Sequence, residues 1–267
     1  MKIFSSKKIL KLYLNGEITS NESKLNSTAS SVQKLKSTLL EVKQTNKNNY
    51  KGILLKINSP GGTAATSEEL ARVFLSLRKE VPVVVSIGDS ACSGAYMVAA
   101  AANYIFANTL SWTGSIGVIM TLPNYRELSE KLGVSFKTIK SGKMKDLGNP
   151  FREMTPEEEN YLETLVKRAH EEFINFIKLT RPAAKNLEEL ADGRVLDART
   201  ALENNLIDRL GTEDDALKFL ITEILHGDEK DFSITDAAPK PGFLKRILDM
   251  AAPITINLEL PNNFPKV

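Results

Sequence analysis

The chain has 267 residues, 42% hydrophobic and 25% charged, a balance ordinary for a globular protein built on one α/β unit with additions. A formal net charge of +2 implies no broad electrostatic attraction to nucleic acid, and the single cysteine, Cys92, excludes an intrachain disulfide. Two histidines, His170 and His226, with that cysteine do not make a structural zinc site, so no metal or other cofactor is expected. No apolar run approaches the ~18–20 residues that cross a bilayer, so the sequence reads as soluble, in the cytoplasm or against a membrane surface.

Ile9 to Ile18 reads as a strand that closes at the turn-prone Asn15-Gly16-Glu17. Asn21 to Ser31, rich in Ser and Asn, reads as a loop. Val32, Leu35, Leu39 and Val42 then recur at the spacing of an amphipathic helix. Gly52 to Ile57 is a second strand, and it runs into Asn58-Ser59-Pro60-Gly61-Gly62. Paired glycines after a strand let backbone N–H groups approach a ligand oxygen, although the same pair can be a plain tight turn. A helix follows from Ser67 to Lys79, then a strand from Val83 to Gly88.

That strand leads into Asp89-Ser90-Ala91-Cys92-Ser93-Gly94-Ala95-Tyr96 and a run of small helix formers. Ser93 therefore sits where strand becomes helix. It either presents a hydroxyl beside free backbone N–H groups, where negative charge can develop, or caps a buried helix. The repeated strand–helix order indicates an α/β layered fold, with the Gly-Gly and Ser-Gly junctions on one edge of the sheet.

Further on, Tyr104 to Ala107 and Trp112 to Ile119 read as strands, Asn124 to Leu132 as a short helix, and Val134 to Ile139 as a strand. A polar loop, Lys140 to Pro150, precedes the capping box Thr155-Pro156-Glu157-Glu158 of a long helix. On that helix His170 falls off the apolar stripe and reads as a surface residue. Short helices follow Asn186 and Asp197, and Glu213 to His226 reads as one helix. Residues 1–226 form the expected catalytic domain. Residues 227–267 form an extension, with a helix at Phe243–Met250 and a strand at Ile254–Leu260, that could pack on a neighbouring subunit.

A serine hydroxyl needs a base, and residues 1–169 contain no histidine. A neutral lysine can serve, if its pKa falls from ~10.4 toward 7–8. The residues alone do not say which lysine.

Four blocks occur in order: Asn58-Ser59-Pro60-Gly61-Gly62, Ala91 to Tyr96, Thr113-Gly114-Ser115-Ile116-Gly117-Val118, and Lys140 to Asp146. With Pro150 to Thr155 and the later Gly193 to Gly211 blocks, they resemble the signal peptide peptidase A family of serine proteases over roughly residues 9–225. The resemblance implies a Clp protease/crotonase-like α/β fold and a Ser/Lys dyad. It implies Ser93 as nucleophile, Lys145 as base with Lys143 as rival, and Ser115 holding the lysine amine. Gly94 N–H, with an N–H of Gly61 or Gly62, would form the oxyanion hole. The implied activity is cleavage of signal peptides or other short, unfolded, apolar peptides by a homo-oligomer, with peripheral membrane association. A crotonase-type acyl-CoA enzyme and an inactive scaffold on the same fold are the alternatives.

Overall fold

The computed structural model describes residues 7–20, 27–45 and 50–237. Its centre is a sheet whose two middle strands carry the apolar runs Ile53-Leu54-Leu55 and Val83-Val84-Val85, as strands covered on both faces do. Strand β1 (Lys7–Asn15) pairs in parallel with β2 (Tyr50–Ser59), and β2 with β3 (Val83–Cys92). The period-2 alternation sorts their side chains between two cores. Leu10, Leu12, Leu14, Ile53, Leu55, Ile57, Val83, Val85 and Ile87 enter the larger core. Ile9, Leu54 and Val84 enter the smaller one on the opposite face.

Strand β3 changes partners along its length. Val84–Ile87 pair with β4 (Tyr104–Ala107), whereas Ser90–Cys92 pair with β5 (Trp112–Gly114). Against β2 its register slips, since Ile57 faces Ile87 but Ser59 faces Ala91. The two extra residues of β3 bulge there, and its end goes on to pair with β5. Antiparallel β6 (Val195–Asp197) extends the sheet beyond β5, β7 (Arg209–Leu210) pairs with β4, and β8 (Phe232–Asp236) pairs with β1.

Helices α1 (Ser27–Thr45), α2 (Ala64–Leu77), α3 (Gly94–Ala100) and α5 (Pro156–Thr180) contribute to the larger core. The short α4 (Arg126–Lys131) lies between β5 and α5 in the chain. All seven residues of α3 are buried, which its alanines permit by letting neighbours approach closely. After α6 (Leu187–Leu190) and α7 (Ala198–Glu203), α8 (Glu213–Phe219) packs Ala216 and Phe219 into the smaller core.

Several elements differ from the sequence expectation. Helix α1 begins at Ser27, inside the stretch read as a loop. Residues 134–139 form no strand: Val134, Phe136 and Ile139 are exposed, and no neighbouring strand supplies a ladder. The strand expected to reach Ile119 stops at Gly114, where φ is +75° and extended pairing ends. The helix from Glu213 leaves α geometry at Leu220 for one π turn, closed by Leu225 N–H donating to the Leu220 carbonyl at 3.0 Å. His170 is half-buried rather than on the surface, and its Nε2 is buried without a hydrogen-bond partner. Within the stretch 227–267 expected as an extension, β8 pairs with β1, and contacts divide the chain after Ala237. The expected elements at 243–250 and 254–260 lie outside the described residues. Among the described residues no helix is long and apolar enough to cross a membrane.

Candidate active site

Strands β2 and β3 are parallel neighbours, so the turns leaving them lie side by side at one edge of the sheet. Ser93 joins β3 directly to α3 with φ +52° and ψ −127°, a conformation that a side chain strains. Its N–H donates to the Gly114 carbonyl at 2.8 Å, and its carbonyl receives Met97 N–H at 3.1 Å. It occupies the N-cap position, yet its side chain makes no capping hydrogen bond. The hydroxyl is thus raised on a sharp strand-to-helix turn and left without a structural partner among the described residues. The helix-cap reading fails on this point.

The strain makes a prediction. A left-handed, non-helical backbone of this kind costs a non-glycine residue about 1–3 kcal/mol. Ser93→Gly loses no side-chain bond, so thermal unfolding should rise by about 2–4 °C after the entropic cost of glycine. A lower melting temperature would show that the hydroxyl has a structural role.

The Gly61-Gly62 turn is clamped from behind. Gly61 N–H donates to Ser59 Oγ at 3.1 Å, and the Gly61 carbonyl accepts from Ile18 N–H at 2.7 Å. Thr63 N–H returns a bond to the Ile18 carbonyl at 2.8 Å. In a trans peptide the C=O and the following N–H point oppositely. With its carbonyl held by Ile18, the Gly61–Gly62 peptide therefore aims Gly62 N–H away from Ile18. A Cβ on Gly94 would come within 3.6 Å of Gly62 N, and one on Gly61 within 2.9 Å of Gly94 N. The two turns are in backbone contact. Neither Gly62 N–H nor Gly94 N–H has a protein acceptor among the described residues. Of the two candidates, Gly61 N–H is already engaged and Gly62 N–H is available.

Ser93, Gly62 and Gly94 line a cavity of ≈ 220 Å³. Its walls are mostly apolar: Met97 from α3, Val118 and Ile119 from the chain after β5, and Ala169 and Phe173 from α5. The buried Ser67 also lines it, with Oγ donating to the Thr63 carbonyl at 2.9 Å. Neighbouring Cys92 is buried, which pushes its thiol pKa up and disfavours the thiolate a cysteine nucleophile would need.

Ser115, also at positive φ (+50°), follows the Gly114 carbonyl that receives Ser93 N–H, so it stands beside the Ser93 backbone. Lys145 does not join this group. It is exposed in the 140–150 loop, and among the described residues its amine has no hydrogen bond or ion pair. Lys143 pairs with Glu157, and Lys140 with Asp146. The loop is tied to α5 through Glu158, eleven residues before Ala169 of the cavity wall, or about 16 Å of helix. Phe173, at an apolar position of the long helix, faces the cavity, which helical spacing by itself does not reveal. Sequence reasoning missed Ile18 because that clamp is a backbone bond across more than forty residues.

A mostly parallel sheet with a strained serine and, among the described residues, two unengaged N–H groups at adjacent strand–helix turns defines the class: a serine-hydrolase-type site on a Clp protease/crotonase-like fold. Comparison with solved structures agrees on the fold. A lysine-to-alanine variant of a membrane-bound stomatin-specific protease, in complex with a substrate peptide, superposes with a TM-score of 0.53 at 14% identity, over 92% of this chain and 98% of that one. The sequence profile of Peptidase family S49 matches residues 76–224, and the chain belongs to that family of serine proteases. A putative protease of Synechocystis is 38% identical over 83% of this chain and 76% of its own length. A putative signal peptide peptidase SppA of Enterococcus faecium is 38% identical over 87% of this chain and 66% of its own. A putative protease of Methanocaldococcus jannaschii is 46% identical over 64% of this chain, and the match spans only 55% of that protein.

Proposed function

We infer that the protein is a serine endopeptidase that cleaves short, unfolded, apolar peptides, signal peptides among them, through an acyl-enzyme on Ser93. The observation that carries this reading is the strained Ser93, its hydroxyl unpartnered, beside the free Gly62 and Gly94 N–H groups at an apolar cavity. The cavity accommodates one apolar side chain of a substrate in extended conformation. Lys145 takes the proton of Ser93 Oγ as that oxygen attacks the scissile carbonyl carbon. The developing oxyanion accepts hydrogen bonds from Gly62 and Gly94 N–H. The lysine ammonium then protonates the leaving amine, and water, activated by the same amine, releases the acyl group. Ser115 orients the amine. Lys145 is favoured over Lys143 and Lys140 because both of those are engaged in ion pairs.

Lys145 is not among the residues that line the Ser93 cavity, and our reading is that assembly with another copy brings it there. Exposed apolar side chains flank that loop: Ile119, Leu128, Leu132, Phe136 and Ile139 are each more than half exposed. Apolar surface of this extent marks an interaction face, and the reading is a homo-oligomer in which a neighbouring copy covers it and presents Lys145 to Ser93. Mixing Ser93→Ala and Lys145→Ala variants, each inactive alone, should then restore part of the hydrolysis of an apolar fluorogenic peptide. Two inactive variants that stay inactive after mixing and subunit exchange would place both residues in one chain's site.

A further inference from the structure

Arg152 stands at the end of the loop that carries Lys145 and binds two carboxylates at once. Toward the loop, its Nε donates to Asp146 Oδ2 at 2.8 Å and its Nη2 to Oδ1 at 3.0 Å. Nη2 also reaches the Asp146 backbone carbonyl at 3.1 Å. Toward the helix, Nη1 donates to Glu158 Oε2 at 2.8 Å and Nη2 to Oε1 at 2.5 Å. Glu158 is buried, and it closes the capping box with Thr155 in the first turn of α5. A planar guanidinium suits this double fork, which an ammonium cannot reproduce. Arg152, ahead of Lys140, holds the Asp146 carboxyl well below the usual carboxylate range. Arg152, ahead of the Thr155 N–H, lowers Glu158 to about 2.

Asp146 is the next residue to Lys145, and this gives the fork a chemical consequence. A base must be neutral, whereas an anion within ~4–6 Å of an amine favours its charged form and shifts its pKa by about 1–3 units. The other charges around the cluster are engaged: Lys140 on Asp146, Lys143 on Glu157, and Arg126 on Glu130 and Glu153. The Asp146 carboxylate is committed to Arg152 and Lys140 and makes no ion pair with Lys145 among the described residues.

We propose that Arg152 is a positioning residue for Lys145, tying the loop end to α5 through Glu158 and keeping the Asp146 carboxylate away from the adjacent amine so that it can work as a neutral base. The inference rests on the reading of Lys145 as the base. The test is the pH dependence of kcat/KM on an apolar fluorogenic peptide, with kcat and KM measured separately. Arg152→Gln should lower kcat at neutral pH by about 10–100-fold with KM within about twofold. Its ascending pH limb should move up by about one unit or more. Adding Asp146→Asn to that variant should return the limb toward its original position while kcat stays low, because the tether remains broken.

Arg152→Lys keeps a cation for Glu158 but cannot fork to both carboxylates. It should shift the limb less and in the same direction, and it carries the test if Arg152→Gln does not fold. A limb that stays in place in whichever of these variants folds, with Lys145→Ala inactive, overturns the role of Arg152 alone. An active Lys145→Ala overturns the underlying reading, and this inference with it.

Discussion

Ser93→Ala is expected to lower peptide hydrolysis by about 10⁴-fold or more, while the melting temperature stays at or near that of the parent. The expectation follows from what the hydroxyl does and does not touch. Its backbone is fixed by Gly114 and Met97, and its side chain caps nothing in α3, so removing Oγ leaves every structural bond in place. A catalytic loss is then separable from a folding loss. Substrate should still bind, because the cavity walls from Met97, Val118 and Phe173 are unchanged. Peptide affinity measured on the variant should therefore be close to that of the parent protein.

Gly62→Ala is expected to fail differently, by damaging both fold and site. A Cβ there would lie 2.0 Å from the Ile18 carbonyl oxygen and 2.6 Å from Ile18 N, both backbone atoms that cannot rotate aside. The bridge between Ile18 and Gly62 must open, taking with it the bonds that aim the Gly62 N–H. Overpacking costs about 1–3 kcal/mol, and a clash against fixed backbone atoms puts this case at the upper end. Losing one oxyanion donor costs a further factor of about 10²–10³ in kcat. Chemical denaturation and kcat should both report the change. A variant with parental stability and activity would show that the turn is not held as described.

The features legible in the sequence were the local ones. A buried-type strand followed by Ser93-Gly94 or by Gly61-Gly62 declares a strand–turn–helix junction, and parallel neighbours bring such junctions together. The capping box of α5 was equally plain, because Thr155 and Glu158 are three residues apart and bond to each other. Contacts made by backbone or over long separations were not legible. Ile18 clamps the Gly61–Gly62 peptide with its own N–H, which leaves no signature in its side chain. The apolar alternation of Val134 and Phe136 resembles a buried strand but lies exposed, since period alone does not reveal whether a face is covered. Conversely, β8 was hidden by its short, polar edge-strand composition, Phe-Ser-Ile-Thr-Asp. Arg152 was visible as part of a family block, but its fork between Asp146 and Glu158 required coordinates.

The central claim is that Ser93 is the nucleophile of a covalent mechanism, and acid quenching during turnover tests it most directly. An activated apolar peptide ester is mixed with the protein, and the intact mass and peptide fragments of the quenched chain are measured. The account predicts an acyl adduct on the fragment containing Ser93, absent from Ser93→Ala and slower to form in Lys145→Ala. Turnover without any adduct on Ser93, or an adduct on another residue that persists in Ser93→Ala, would contradict it.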